Sequence, residues 1–137
     1  MAKEQLIIID TSSWIEALRK DGRREIRERV QKILEEGKGA SCEPIILELL
    51  NGTRDRAERA IIEDYETMLV CFPISQEVWQ LARRMAITLR SKGFGLPVVD
   101  LIIGACAYHH RAAIEHSDKH FEILNKVYPA GKHSAVN

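Results

Sequence analysis

Three acidic side chains stand out because each lies within or at the end of an otherwise apolar stretch of the sequence. Asp10 ends the first apolar run, and Glu48 and Asp100 are each the only charge in a later one. No lysine or arginine lies inside these runs, so each carboxylate needs another partner if it is buried. Converging carboxylates repel one another, and a hard divalent cation with oxygen ligands relieves that repulsion. Asp118, at the end of a later predicted strand, is placed to join them.

This group of acids predicts metal-assisted hydrolysis of a phosphodiester bond. A bound Mg²⁺ ion, with Mn²⁺ as a substitute, could activate water as the nucleophile, polarise the phosphoryl oxygen and stabilise the leaving oxygen. Thr11 or Ser12 could orient a carboxylate or the water. Asp100 is expected in the first turns of a helix, where the helix dipole favours its ionised form.

Each acid also has a purely structural interpretation. Asp10 could be a simple helix N-cap, Glu48 could occupy an exposed position on a half-buried helix, and Asp118 could be a turn residue. Asp100 fits such an interpretation least, because its predicted helix has no polar face. The structural interpretation requires four coincidences, whereas one metal site explains all four acids.

The histidines do not predict a zinc site, since none stands at a ligand spacing from a cysteine. His109 and His110 are expected at the solvent-facing end of a helix, where positive charge is favoured. His120 could reach the acidic site.

Apolar runs and turn residues predict strands that alternate with helices. The predicted strands cover about 5–10, 40–42, 69–72 and 112–117, with a last edge strand at 127–128. The predicted helices cover about 14–20, 23–36, 44–50, 54–68, 76–92 and 97–107, with a helical turn at 121–124. The helix at 54–68 is expected to bury Ala57, Ile61, Tyr65 and Met68.

This alternation predicts the α/β class, as a three-layer α/β/α sandwich with a central parallel sheet. We expect a single domain over 1–130 and a frayed tail at 131–137. Ligands of open α/β sheets bind at the carboxyl ends of the strands, and Asp10 stands at such an end.

The composition is that of an ordinary globular protein, with 45% hydrophobic residues, 29% charged residues and a net charge of +0. The neutral balance excludes a global basic field for nucleic-acid binding but not a local patch. No apolar run approaches the roughly 18 residues of a membrane span, and the charged N-terminus is unlike a signal peptide. The cysteines lie among apolar neighbours, which predicts buried, reduced thiols in a cytoplasmic protein: Cys42, Cys71 and Cys106.

Four blocks of the sequence together resemble the PIN-domain nucleases, and among them the VapC-type toxins of bacterial toxin–antitoxin pairs. The blocks are Ile-Ile-Asp-Thr-Ser-Ser at 8–13, Glu-Pro-Ile-Ile-Leu-Glu-Leu-Leu-Asn-Gly at 43–52, Leu-Pro-Val-Val-Asp-Leu-Ile-Ile-Gly-Ala at 96–105 and His-Ser-Asp-Lys-His-Phe at 116–121. The resemblance covers nearly the whole chain. It is specific because the four blocks occur together in this order and spacing, whereas any one block alone would be a weak indication.

The resemblance implies a Mg²⁺-dependent endoribonuclease that forms a homodimer and is inhibited by a cognate antitoxin. The residues that match the acidic metal-site positions of the family are Asp10, Glu48, Asp100 and Asp118. Thr11 or Ser12 matches the small hydroxyl often found after the first acid. A group of basic residues could contact RNA phosphates, with a solvated helix face as the alternative: Arg19, Lys20, Arg23, Arg24 and Arg27.

The last block departs from the family pattern Thr-x-Asp/Asn-x-Asp-Phe. His116 replaces the threonine, and His120 replaces the second aspartate. The chain therefore carries four acids where the pattern has five. This loss weakens a second metal site, so we expect one well-bound metal to dominate.

Two other functions compete with this interpretation. A phosphatase or phosphoacceptor could use Asp10 as its nucleophile, but the haloacid-dehalogenase type requires an aspartate at the position of Ser12. A receiver domain requires an acidic pair at the first strand end, where this chain has one acid. The alternative of a different class is a catalytically inactive PIN-like module that binds RNA or protein, and the presence of all four acids argues against it.

Overall fold

The structure, a computed structural model, describes residues 4–128 of the chain. Within that range, four short strands alternate with seven helices. The strands are β1 Ile7–Ile9, β2 Gly39–Ser41, β3 Val70–Cys71 and β4 Ala113–Glu115. The helices are α1 Thr11–Leu18, α2 Arg24–Glu35, α3 Glu43–Asn51, α4 Arg56–Glu66, α5 Gln76–Ser91, α6 Val98–His109 and α7 Lys119–Val127.

The strands form one parallel sheet in the order β3-β2-β1-β4. Ile7 pairs with Gly39 of β2 on one side and with Ala113 of β4 on the other, so the first apolar run lies inside the sheet. Ile8 and Ile9 are fully buried, as expected of a strand that is covered on both faces. The predicted α/β/α sandwich with a central parallel sheet is confirmed.

Helix α6 is the buried helix that its apolar sequence predicts, although Val98 in its first turn is exposed. Gly104 lies against Leu124 of α7. A Cβ atom at position 104 would come within 2.0 Å of a methyl carbon of Leu124. The small residue therefore allows α7 to pack closely against α6.

The buried face of α4 differs from the prediction. Ile62 is the buried residue of this helix, and Tyr65 and Leu69 pack partly buried against the same core. Because Ile61 and Ile62 are adjacent, the sequence fits two possible buried faces that differ by one residue. Tyr65 lies on both of these faces. The predicted buried residues that lie exposed instead are Ala57, Ile61 and Met68.

The strand predicted at 69–72 forms over a shorter range, and the edge strand predicted at 127–128 does not form. β3 has only two residues, and both are exposed because β3 ends the sheet and pairs only with β2. No strand forms at 127–128, where α7 continues to Val127. The ring of Tyr128 packs edge-on against Tyr108, with ring centroids 5.5 Å apart.

The cysteines do not share one environment. Cys42 and Cys106 are fully buried, whereas Cys71 on β3 is exposed, so the prediction of a buried thiol is wrong for Cys71. A hydrogen bond with Cys106, together with burial, raises the pKa of the Cys42 thiol. The Cys42 thiol is therefore held in its protonated form away from solvent.

The ends of the predicted domain extend beyond the described residues. The predicted tail at 131–137 lies outside them, and the single domain over 1–130 stays a prediction. Between residues 4 and 128, no helix has both the length and the apolar character that crossing a membrane requires.

Candidate metal centre

Asp10 joins the first strand to the first helix. Its backbone is extended, and α1 begins directly at Thr11, a turn earlier than predicted. The side chain is 4% exposed. Its Oδ2 accepts hydrogen bonds from the backbone N–H of Ser12 at 3.0 Å and from the Ser12 hydroxyl at 2.6 Å. Asp10 is thus a helix N-cap, and the same two bonds fix its carboxylate at the carboxyl end of β1.

Glu48 reaches the same corner of the fold from α3. The hydroxyl of Thr11 donates a hydrogen bond to its Oε1 at 2.8 Å. Glu48 is nevertheless exposed, as is its neighbour Leu47, so burial does not account for this acid. The run of aliphatic residues around it covers both faces of α3, and one of those faces meets solvent. Glu48 therefore occupies the exposed position on a half-buried helix that its structural interpretation describes.

Asp100, Asp118 and His120 form a second group of polar side chains near these acids. Asp100 lies in the first turn of α6, and Asp118 is the N-cap of α7. Nδ1 of His120 lies 3.0 Å from Oδ2 of Asp100 and 3.1 Å from Oδ1 of Asp118. Oδ1 of Asp118 also accepts the backbone N–H of His120 at 2.9 Å. The capping bond therefore fixes the position of Asp118 relative to the ring.

The electrostatics couple Asp100 to two of the other acids. Its pKa is raised to about 6, first by burial and then by the negative charges of Asp118 and Asp10, against a lowering effect of His120. Side chains at the end of β1 and before α7 are thus close enough to Asp100 to oppose its ionisation. Glu48 is linked to this group through Thr11 and the start of α1.

The residues present fit a divalent cation. One oxygen each from Asp100 and Asp118 and one nitrogen of His120 lie within 4.8 Å of one another. Nδ1 of His120 is buried and has no hydrogen-bond partner among residues 4–128. Carboxylates that repel each other beside such a nitrogen favour a bound cation.

An ion pair that the sequence did not reveal lies next to Asp10, between a half-exposed arginine and a largely buried glutamate. The backbone N–H of Asp10 donates to the carbonyl of Glu115, the last residue of β4, at 2.9 Å. Arg29 of α2 donates to the two carboxylate oxygens of Glu115 at 2.9 and 3.1 Å, and the hydroxyl of Ser13 donates to one of them at 3.1 Å. The Glu115 side chain is only 11% exposed. Arg29 therefore neutralises a further acid beside the cluster.

Several of the basic residues predicted to contact RNA form ion pairs within the protein. Arg19 and Arg23 lie 3.9 and 3.7 Å from Glu16, and Arg24 lies 3.0 Å from Glu28. Exposed pairs of this kind are weak, so the guanidinium groups stay available to a phosphate. Contact with RNA stays a prediction.

A groove of about 550 Å³ opens beside Thr11 and Glu48. Its walls are formed by α1, α3 and α4. Exposed aliphatic side chains line it: Ile15, Leu18 and Ile61. Basic side chains line it as well: Arg19, Lys20 and Arg54. The groove thus brings apolar and basic groups to the edge of the candidate site.

Comparison with solved structures supports the fold. One match is VapBC2 from Rickettsia felis, solved with a DNA fragment from its promoter. The TM-score is 0.73 at 16% identity, and the match covers 92% of this chain and 95% of that one. VapBC-1 from nontypeable Haemophilus influenzae matches with a TM-score of 0.72 at 20% identity, covering 89% and 94%. At these identities, the likeness establishes the architecture alone.

Comparison of sequences establishes the family. The family model of the PIN domain matches residues 7–127. Ribonuclease VapC11 of Mycobacterium tuberculosis is 31% identical over 132 residues, which cover 89% of this chain and 93% of that relative. The chain therefore belongs to the PIN domain family and, within it, to the VapC group.

Proposed function

We propose that this chain is a divalent-metal-dependent endoribonuclease and the toxin of a VapBC-type toxin–antitoxin pair. The observation that carries the proposal is the coupling of Asp10, Asp100 and Asp118 at one end of the sheet, where burial and mutual repulsion favour a cation. A relative that matches most of the chain is named a ribonuclease, which supports RNA as the substrate.

The three aspartates would hold one Mg²⁺ ion, for which Mn²⁺ would substitute. When bound, the ion supplies Lewis acidity toward a phosphoryl oxygen and lowers the pKa of the water that acts as nucleophile. Ser12 holds Asp10 in place through its two hydrogen bonds. Thr11 holds Glu48 at the open side of the site, where the Glu48 carboxylate orients water and the phosphodiester enters.

The groove beside Glu48 is the proposed binding site of the antitoxin. Ile15, Leu18 and Ile61 leave aliphatic surface exposed there, which suits an apolar segment of a partner protein. Solved structures that share this architecture include VapBC2, VapBC-1 and a toxin–antitoxin complex from Klebsiella pneumoniae, which supports such a partner. A segment in this groove ends at Thr11 and Glu48, so it blocks access of RNA to the acids.

We also propose that this chain forms a homodimer and acts in the cytoplasm. Trp79 and Ile87 are exposed on α5 and stand two helical turns apart on one face, which suits contact with a second copy. The unpaired thiols at Cys42 and Cys106 suit a reducing compartment.

The test is cleavage of total RNA by the purified full-length chain. We expect fragments in Mg²⁺, none in EDTA, and none from Asp10→Asn, which keeps an oxygen to cap α1 but loses the negative charge. Asp64→Asn is the matched control, because Asp64 is exposed on α4. RNA binding without cleavage indicates instead a catalytically inactive PIN-like binding module. Full cleavage by Asp10→Asn refutes the assignment of the site.

A further inference from the structure

We propose that His120 is a nitrogen ligand of the metal ion and that it shifts the preference of the site from Mg²⁺ toward first-row transition-metal ions such as Mn²⁺. The inference rests on the proposed function, because it concerns the same site. It adds a nitrogen ligand beside the carboxylates of Asp100 and Asp118.

The position of the ring is that of a ligand. Its Nδ1 stands 3.0 Å from an oxygen of Asp100 and 3.1 Å from an oxygen of Asp118. Two neighbouring ligands at right angles on an ion with bonds of about 2.1 Å stand about 3.0 Å apart. The separations between the nitrogen and both oxygens are therefore those of atoms that share one ion.

The nitrogen is buried and has no hydrogen bond of good geometry, although it lies close to two carboxylate oxygens. A neutral imidazole offers a lone pair at this atom, and imidazole nitrogen is a common metal ligand in proteins. The competing explanation is a protonated ring that neutralises the two carboxylates by itself, without any metal.

The identity of the donor atoms determines which ion the site prefers. Mg²⁺ prefers oxygen ligands and keeps several waters, whereas imidazole nitrogen suits transition metals. The mixed set of one nitrogen and two or more carboxylates thus binds Mn²⁺ better, relative to Mg²⁺, than an all-carboxylate set does.

The test is pulsed electron paramagnetic resonance of the Mn²⁺ complex of the full-length chain, read for coupling to nitrogen-14. Calorimetric titrations with Mn²⁺ and Mg²⁺ accompany it. His120→Gln removes the ring nitrogen, and His120→Asp replaces it with a carboxylate. His116→Gln is the matched control, because His116 lies in the same loop and its Nδ1 accepts the backbone N–H of Asp118 at 3.3 Å.

We expect nitrogen coupling in the wild type and in His116→Gln, and none in His120→Gln. His120→Asp should lower the preference for Mn²⁺ over Mg²⁺ by at least about tenfold. Residues that contact a metal ligand and not the metal already contribute that much, and a direct ligand should contribute no less. Bound Mn²⁺ without nitrogen coupling overturns the inference but leaves the nuclease proposal standing on its carboxylates. Coupling that disappears only in His116→Gln also overturns it. Failure to bind either ion at millimolar concentration overturns both proposals.

Discussion

Replacing Asp100 with asparagine should stabilise the metal-free protein at neutral pH, although it removes a proposed metal ligand. The pKa of Asp100 is raised from 3.8 to about 6, first by burial and then by the charges of Asp118 and Asp10, with His120 acting in the opposite direction. The side chain is only 14% exposed, so solvent screens these interactions little. Asparagine keeps the shape of the protonated acid and cannot ionise.

The direction of the pH dependence follows from proton binding. A carboxyl group with a higher pKa in the folded chain than in the unfolded chain binds more protons when folded, over the range between the two values. The contribution of Asp100 to the free energy of unfolding of the metal-free wild type should therefore fall as the pH rises from 3.8 to about 6. Above that range, the loss approaches about 3 kcal/mol. Asp100→Asn lacks this loss.

Urea unfolding in EDTA measures the difference. Wild type and Asp100→Asn should be about equally stable near pH ~4, and the variant should be the more stable near pH ~8. Asp64→Asn, the surface control, should change stability by less than about 0.5 kcal/mol at either pH. Mn²⁺ at a hundred times its Kd should stabilise the wild type by about 2.7 kcal/mol and the variant by less. A variant that is no more stable at the higher pH would refute the charge repulsion at Asp100.

Three further predictions test individual contacts. Thr11→Val removes the hydrogen bond to Glu48 with little change in volume, so RNA cleavage should fall by about tenfold while the unfolding midpoint stays unchanged. An unchanged cleavage rate would mean that Glu48 does not depend on this contact. Gly104→Ala brings a Cβ atom against Leu124 and should destabilise the protein by about 1–3 kcal/mol in urea unfolding. Combined with Leu124→Val, it should cost less than the sum of the two single changes, and strict additivity would contradict the clash. In a titration of the native protein with a thiol reagent, Cys71 should react first because the other two cysteines are buried, and equal rates at all three would contradict that burial.

The sequence predicted the centre of the fold well, because there each pattern had one interpretation. Three consecutive isoleucines ending in Asp10 fit only a strand that is buried on both faces. The run of α6 leaves no polar side to face solvent, so its buried position follows from its composition. In both β1 and α6, the apolar residues that predict burial also make Asp10 and Asp100 stand out as the only charged residues nearby.

The periphery was less predictable, for physical reasons that differ from place to place. The buried face of α4 depends on whether Ile61 or Ile62 meets the core, and the helical spacing of apolar residues fits both possibilities equally well. Glu48 is exposed because α3 has one solvent face despite its apolar sequence. Glu115 ends a strand as Asp10 does, but its partner Arg29 is one of many charges on α2. A pair so far apart in the chain becomes identifiable only when the fold brings it together.

The order of the chain has a consequence for synthesis of this protein. Asp10 follows the first strand, and Asp118 precedes the last described helix, so the proposed catalytic pocket is shared between the two extremes of the domain. A nascent polypeptide lacks Asp118 until residue 118 has been translated. If the proposed site is correct, a chain truncated before residue 118 lacks one of its carboxylates and should not cleave RNA.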